Sequence, residues 1–314
     1  MITRSQLLLT AATLSLALGG SAATNLFNFT RLAQGQETQE VTIRFQAKVG
    51  NRPFSCAENY PNLGAQNTTA SATDFRFYIS GVNLIDNNGV AVPLTLQQDN
   101  RWQHQNVALL DFEDKSAGCT NGTVETRDRI VGTVPKGTYK GIQFTLGIPF
   151  NLNHEDVTLA NSPLNLSALW WNWRGGYKFV RIDLKTPGMI PTARPNHGNQ
   201  GHQNSGSSPG FPIHLGSTGC QSEGNNQRPV NCTSPNTVNL SFTDFDPQRQ
   251  VIVADLKPLI AETNITVNQP ETPPGCMSSP NDPDCSSIMP NFGLTFGAKP
   301  NPEQKFFRLE NANP

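Results

Sequence analysis

The chain has 314 residues with 26 Gly, 24 Pro and 6 Cys, a formal net charge of -1, and only 15% charged residues. That length fits one large domain or two small ones. The near-neutral balance excludes the basic footprint of a nucleic-acid binder, and no charge run forms an acidic or basic tail.

Residues 1–23 read as an export signal. Arg4 starts it, Leu7, Leu8, Leu9, Ala11, Ala12, Leu14, Leu16, Ala17 and Leu18 form its apolar stretch, and Ser21 and Ala23 suit a small-residue cleavage site. The stretch is shorter than the roughly 20 residues of a membrane-spanning helix, and no later segment is apolar enough to span. Residues 24–40 read as a polar, flexible leader and 41–314 as a single domain. Export places that domain in the periplasm, outside the cell or at its surface, where cysteines oxidise. Closeness favours Cys220–Cys232 and Cys276–Cys285, which leaves Cys56 and Cys119, although spacing alone does not fix the pairing. No CxxC pair is present, which argues against zinc.

The first predicted strand alternates Val41, Ile43, Phe45, Ala47 and Val49 with Thr42, Arg44, Gln46 and Lys48. A period of two means one buried face and one wet face. Similar runs follow at residues 75–80, 107–112, 139–148, 178–184, 238–242 and 251–256. Turn-rich pieces such as Asp86-Asn87-Asn88-Gly89 and Val134-Pro135-Lys136-Gly137 separate them. Helical periodicity is confined to residues 153–160 and 163–171, roughly two turns each. Residues 195–210 read as a long surface loop, and residues 268–289 as a second, closed by Cys276 and Cys285. The predicted class is all-β: a β-sandwich, immunoglobulin-like or related, with long disulfide-closed loops and one or two short helices.

Five histidines are present: His104, His154, His197, His202 and His214. Imidazole suits copper, zinc, iron and nickel, although a histidine beside a strand is more often structural. Trp170, Trp171 and Trp173 crowd into one segment that runs on through Arg174, Gly175, Gly176, Tyr177 and Lys178. Their plain role is core anchoring. Gly175 and Gly176 allow a tight turn or a close backbone approach, and Arg174 and Lys178 are placed to stack on the rings. There is no Gly-x-Ser-x-Gly elbow, no phosphate loop or dinucleotide fingerprint, and no second histidine to complete a zinc helix after His154. The acidic pairs Glu113/Asp114 and Glu155/Asp156 are sequence neighbours, which point to opposite faces of a strand.

Five segments, taken in order, resemble the MbnP-like family, the four-Cys motif proteins of the metallo-mystery pair systems. They are residues 75–80, 147–154 (through Asn153-His154), 171–183 (Trp171-Asn172-Trp173-Arg174-Gly175-Gly176-Tyr177 onward), 214–220 (His214-Leu215-Gly216 to Cys220) and 275–285 (through Cys276 to Cys285). The resemblance implies an exported β-rich protein that binds copper. It also implies a partner, a di-haem cytochrome c peroxidase-like protein, that oxidises a tryptophan to kynurenine. Carried over residue by residue, it implies copper ligation by His154, His214 and a modified Trp171 or Trp173; His197 and His202 have no firm counterpart in the pattern and stand as weak extra ligands. Indole N–H only donates, whereas kynurenine exposes an aniline amine and a carbonyl, so oxidation would create a ligand. The expected role is copper acquisition, storage or sensing, not catalysis. A metal-free structural or adhesive surface sandwich is the second reading, favoured by low charge and abundant Asn, Thr and Gly. A copper oxidoreductase is the third, and would need an open coordination position and a substrate cleft.

Overall fold

The structure is a computed structural model, and it describes residues 36–186, 210–224, 227–297 and 302–312. The export signal, most of the leader, His197 and His202 lie outside the described residues. In chain order the first strands are β1 (Thr38–Val49), β2 (Arg52–Pro53), β3 (Asn59–Leu63), β4 (Thr68–Asp86), β5 (Ala91–Pro93) and β6 (Thr95–Leu96). Next come β7 (Gln103–His104), β8 (Val107–Asp111), β9 (Arg129–Pro135), β10 (Tyr139–Leu146), helix α1 (Phe150–Asn153), β11 (Trp170–Asn172), β12 (Gly176–Tyr177) and β13 (Val180–Lys185). The last are β14 (Gly210–Leu215), β15 (Thr218–Gln221), β16 (Asn231–Ser234), β17 (Val238–Phe242), β18 (Gln250–Asp255), α2 (Leu256–Leu259), α3 (Ile288–Phe292) and β19 (Phe307–Asn311).

Two sheets make the sandwich. One runs β19-β18-β1-β9-β6, with β2 beside β1. The other runs β14-β13-β4-β10-β17, and β3, β5 and β8 also pair with β4. The alternation in β1 does what its pattern predicts: Ile43, Phe45, Ala47 and Val49 are buried and the residues between them are not. The sheets meet through aromatic edges. Phe45 of β1 lies 6.0 Å from Phe77 of β4 and 5.9 Å from Phe144 of β10, and Phe307 of β19 lies 5.4 Å from Phe77. Edge-to-face pairs of this kind add about 0.5–1.5 kcal/mol each beyond area burial.

The cysteines pair Cys56–Cys119, Cys220–Cys232 and Cys276–Cys285, as closeness favours. Among the described residues no helix is long and apolar enough to cross a membrane.

The helices sit elsewhere than the periodicity predicts. α1 ends at Asn153 and His154 caps it, so residues 154–160 are turns. Within 163–171 only Ser167–Leu169 is helical, a single 3-10 turn, and Trp170 already opens β11. The cause is local. Asp156 accepts from the Thr158 backbone, and Asn172 accepts from the backbone N–H groups of Arg174 and Gly175. Such side-chain bonds compete with helix, and pairing of Trp170 with Tyr177 draws the tryptophan segment into a hairpin.

Candidate metal centre

His154 is built from two directions. Pro149 and α1 carry it beyond the end of β10, and Asn153 locks it there. The Asn153 Oδ1 accepts from the Tyr177 backbone N–H at 2.9 Å, while its Nδ2 donates to Ser217 Oγ at 3.3 Å. That arrangement aims the same amide nitrogen at His154 Nε2, 3.2 Å away. An amide N–H only donates, so His154 Nε2 accepts and carries the lone pair. Gly176 makes this possible. It sits at φ +74°, and a Cβ there would collide with the Asn153 carbonyl and side chain. The Gly-Gly pair thus serves the close backbone approach that the sequence suggests.

The His154 ring is 2% exposed and meets Phe150 edge-on at 4.9 Å. With Nε2 accepting, the buried Nδ1 carries the proton and lies beside the Trp173 backbone. Burial holds the ring below the ordinary imidazole range, against the opposing influence of the Trp173 backbone beside it. The ring is therefore neutral at pH 7, which is the metal-ligating form. His154 lines an open cleft with Glu155, Asp156, Trp170, Trp173 and Arg228. The Arg174 guanidinium lies 5.2 Å from the Trp173 ring centroid. Lys178 instead donates to the Ala168 carbonyl.

Trp171 faces a different, shallow cleft with Cys220 and Met277. Its ring covers Gly216, where a Cβ would come within 2.5 Å of it. His214, two residues earlier on β14, lines neither cleft. Its Nε2 donates to Asp183 Oδ1 at 2.7 Å, and its Nδ1 is buried without a partner. Burial pushes this imidazole down despite Asp183. Burial also works against the Asp183 charge, but the His214 hydrogen bond and Arg181 outweigh it and hold the carboxyl well below its usual range. A carboxylate accepting one ring N–H and leaving the other nitrogen bare is the usual support of a metal-bound histidine. The structure thus brings His154 together with Trp170 and Trp173 in one cleft and ties His214 to Asp183, while the Trp171 ring lies on Gly216.

Behind His214 runs an ionic row that sequence reasoning missed. Strand register aligns Asp111 of β8 with Arg76 of β4, Arg76 with Arg181 of β13, and Arg181 with His214. Asp74 bridges it, held by Arg76 at 2.8 and 2.5 Å and by Arg181 at 3.0 Å. The signal was present: charges at every second position of Asp74-Phe75-Arg76-Phe77 and Val180-Arg181-Ile182-Asp183.

Burial pushes the Asp111 carboxyl up to about 7, against the charge of Arg76. An unfolded Asp loses its proton near pH ~4. Between these limits the folded state holds a proton that the unfolded state lacks, so this group lowers stability as pH rises. Asp111→Asn is uncharged in both states. Urea unfolding across that range is expected to show the variant gaining on the original chain as pH rises; a pH-independent difference would contradict the assignment.

Among the described residues, the groups close enough to share an ion are His154 with Cys220 and Cys232, and Glu113 with Cys56 and Cys119. In both, the cysteines are disulfide-bonded, so no thiolate is available as a ligand.

The fold and site define a disulfide-braced β-sandwich carrying a buried, neutral histidine beside a tryptophan cleft. The profile of the MbnP family matches residues 38–278. The chain therefore belongs to the MbnP family. The solved structure of MbnP from Methylosinus trichosporium is similar, with a TM-score of 0.75 and 28% sequence identity, covering 88% of this chain and 100% of that one. Comparison with curated protein sequences found no match.

Proposed function

We propose that this protein is an exported copper-binding protein of the periplasm or cell surface, serving copper acquisition, storage or sensing and not catalysis. His154 and a kynurenine formed from Trp173 would hold the ion. The tryptophan is the substrate of a di-haem cytochrome c peroxidase-like partner, so the chemistry is done to this chain and not by it. The observation that carries the reading is a buried, neutral His154 in a cleft shared with Trp173. Imidazole nitrogen suits copper. Copper, when bound, supplies a Lewis-acidic and redox-active centre; the chain supplies ligands, orientation and shielding.

One observation favours a second pair. The Trp171 ring lies on Gly216, two residues from His214, whose Nδ1 carries a bare lone pair. Intact mass and fragment ions separate the two. Chain produced with the di-haem partner is expected to carry one tryptophan that has gained two oxygens and lost one carbonyl group. The modification is expected to be absent in Trp173→Phe and retained in Trp171→Phe. The opposite pattern assigns the site to Trp171, and an unmodified chain in the presence of an active partner removes the kynurenine proposal.

A further inference from the structure

Three disulfides brace the molecule, and one differs from the others in its surroundings. Cys56, Cys119, Cys276 and Cys285 are all buried, at 3% exposure or less. Cys220 and Cys232 are both partly exposed. Thiol–disulfide exchange needs access to a sulfur, so a reductant reaches this pair first. The same pair faces a ligand. Cys232 Sγ lies 3.5 Å from His154 Nε2, the ring nitrogen to which the Asn153 amide assigns the lone pair. The two sulfurs and an imidazole nitrogen of His154 all lie within 4.8 Å of one another.

The two sulfurs sit on a hairpin that has other ties besides their bond. β15 and β16 are registered with Cys220 opposite Cys232, flanked by Thr218–Ser234 and Gln221–Asn231. The Val230 N–H donates to the Gln221 carbonyl. Ser217 Oγ donates to the Pro235 carbonyl, Asn236 Nδ2 to the Gly216 carbonyl, and Thr218 Oγ1 to the Ser278 carbonyl. The hairpin is thus held by backbone ladder and side-chain ties that do not include the disulfide.

We infer that Cys220, Cys232 and His154 form a redox-gated site for a cuprous ion: closed as the disulfide, open when a dithiol reduces it. A thiolate of the dithiol attacks one cystine sulfur, breaks the S–S bond and releases the other cysteine as thiolate. The dithiol's second thiolate then displaces the first cysteine. Two electrons pass to the cystine, and the dithiol leaves as its own disulfide. Two thiolates and one imidazole are a soft donor set suited to Cu(I). This site uses the Nε2 side of His154 and does not depend on kynurenine.

The test uses the full chain, prepared without the di-haem partner. It is reduced with dithiothreitol, passed through anaerobic gel filtration and titrated with Cu(I) against a chromogenic chelator. Reduction is expected to add one tightly held Cu(I) per chain. The added equivalent is expected to be lost in Cys220→Ser/Cys232→Ser and in His154→Ala, and retained in Trp173→Phe, whose loss of copper would concern only the kynurenine site. An equal gain in the double serine variant would overturn the inference. So would no gain in the original chain once alkylation and mass mapping find Cys220 and Cys232 free. Mapping also serves if the serine variant fails to fold: Cys220–Cys232 is expected to open before the two buried pairs, and the reverse order overturns the gating.

Discussion

Replacing Asp74 with Ala is expected to destabilise the fold by about 3–5 kcal/mol, the cost of breaking a buried ion pair from one side. Asp74 is fully buried and Arg76 is 2% exposed. The Asp74 carboxylate accepts two bonds from Arg76 and lies 3.0 Å from Arg181. Without it, Arg181 keeps Asp183 at 2.7 Å, but Arg76 is left as a buried cation with only Asp111 and Glu113 nearby. Asp111 titrates near 7 and so supplies only a partial charge. The expected cost is large relative to the 5–15 kcal/mol total stability of a typical protein. Urea denaturation at pH 7 measures it. A loss below about 1 kcal/mol, the range of an exposed pair, would mean that water reaches the row and that it does not hold His214 rigidly.

His154→Ala is expected to abolish copper binding by chain that has met the di-haem partner, while His214→Ala keeps most of it. The asymmetry follows from the environments. His154 shares its cleft with Trp173. His214 is tied to Asp183 and enclosed beside Arg181 and Lys178, and burial pushes Lys178 down to about 8. The loss in His154→Ala should exceed the ~10–100-fold that removing an outer-shell support costs. Equilibrium dialysis with copper, read by metal analysis, decides. Loss in His214→Ala with retention in His154→Ala would move the ion to the Trp171 side. Equal loss in both would require the two imidazoles to meet in one centre.

Most of the sandwich is legible in the chain, because period-two burial is a local property. Each of the seven runs at residues 41–49, 75–80, 107–112, 139–148, 178–184, 238–242 and 251–256 coincides with a strand, four of them overrunning it by one or two residues. β9, β14 and β19 were not read as strands, although β9 alternates burial as regularly as β1. β14 carries Pro212 inside a strand, which reads as a break. It is tolerated because β14 is the outer strand of the path β14-β13-β4-β10-β17, and the proline still offers its carbonyl, which accepts from the Cys276 N–H. The helices failed for the opposite reason. Their patterns were real, but Asx turns and the Trp170–Tyr177 pair captured the backbone.

By itself the sequence determined the all-β class and the presence of histidines and a tryptophan cluster, and it favoured the cysteine pairs closest along the chain. Each of these follows from residue type and short spacing. Only the tertiary structure decided which groups meet: His154 with Trp173 and the Cys220–Cys232 sulfurs, His214 with Asp183, and Arg76 with Asp74, Asp111 and Arg181. Those contacts join strands far apart in the chain, and register between strands is set by packing across the whole sheet, which no local pattern encodes.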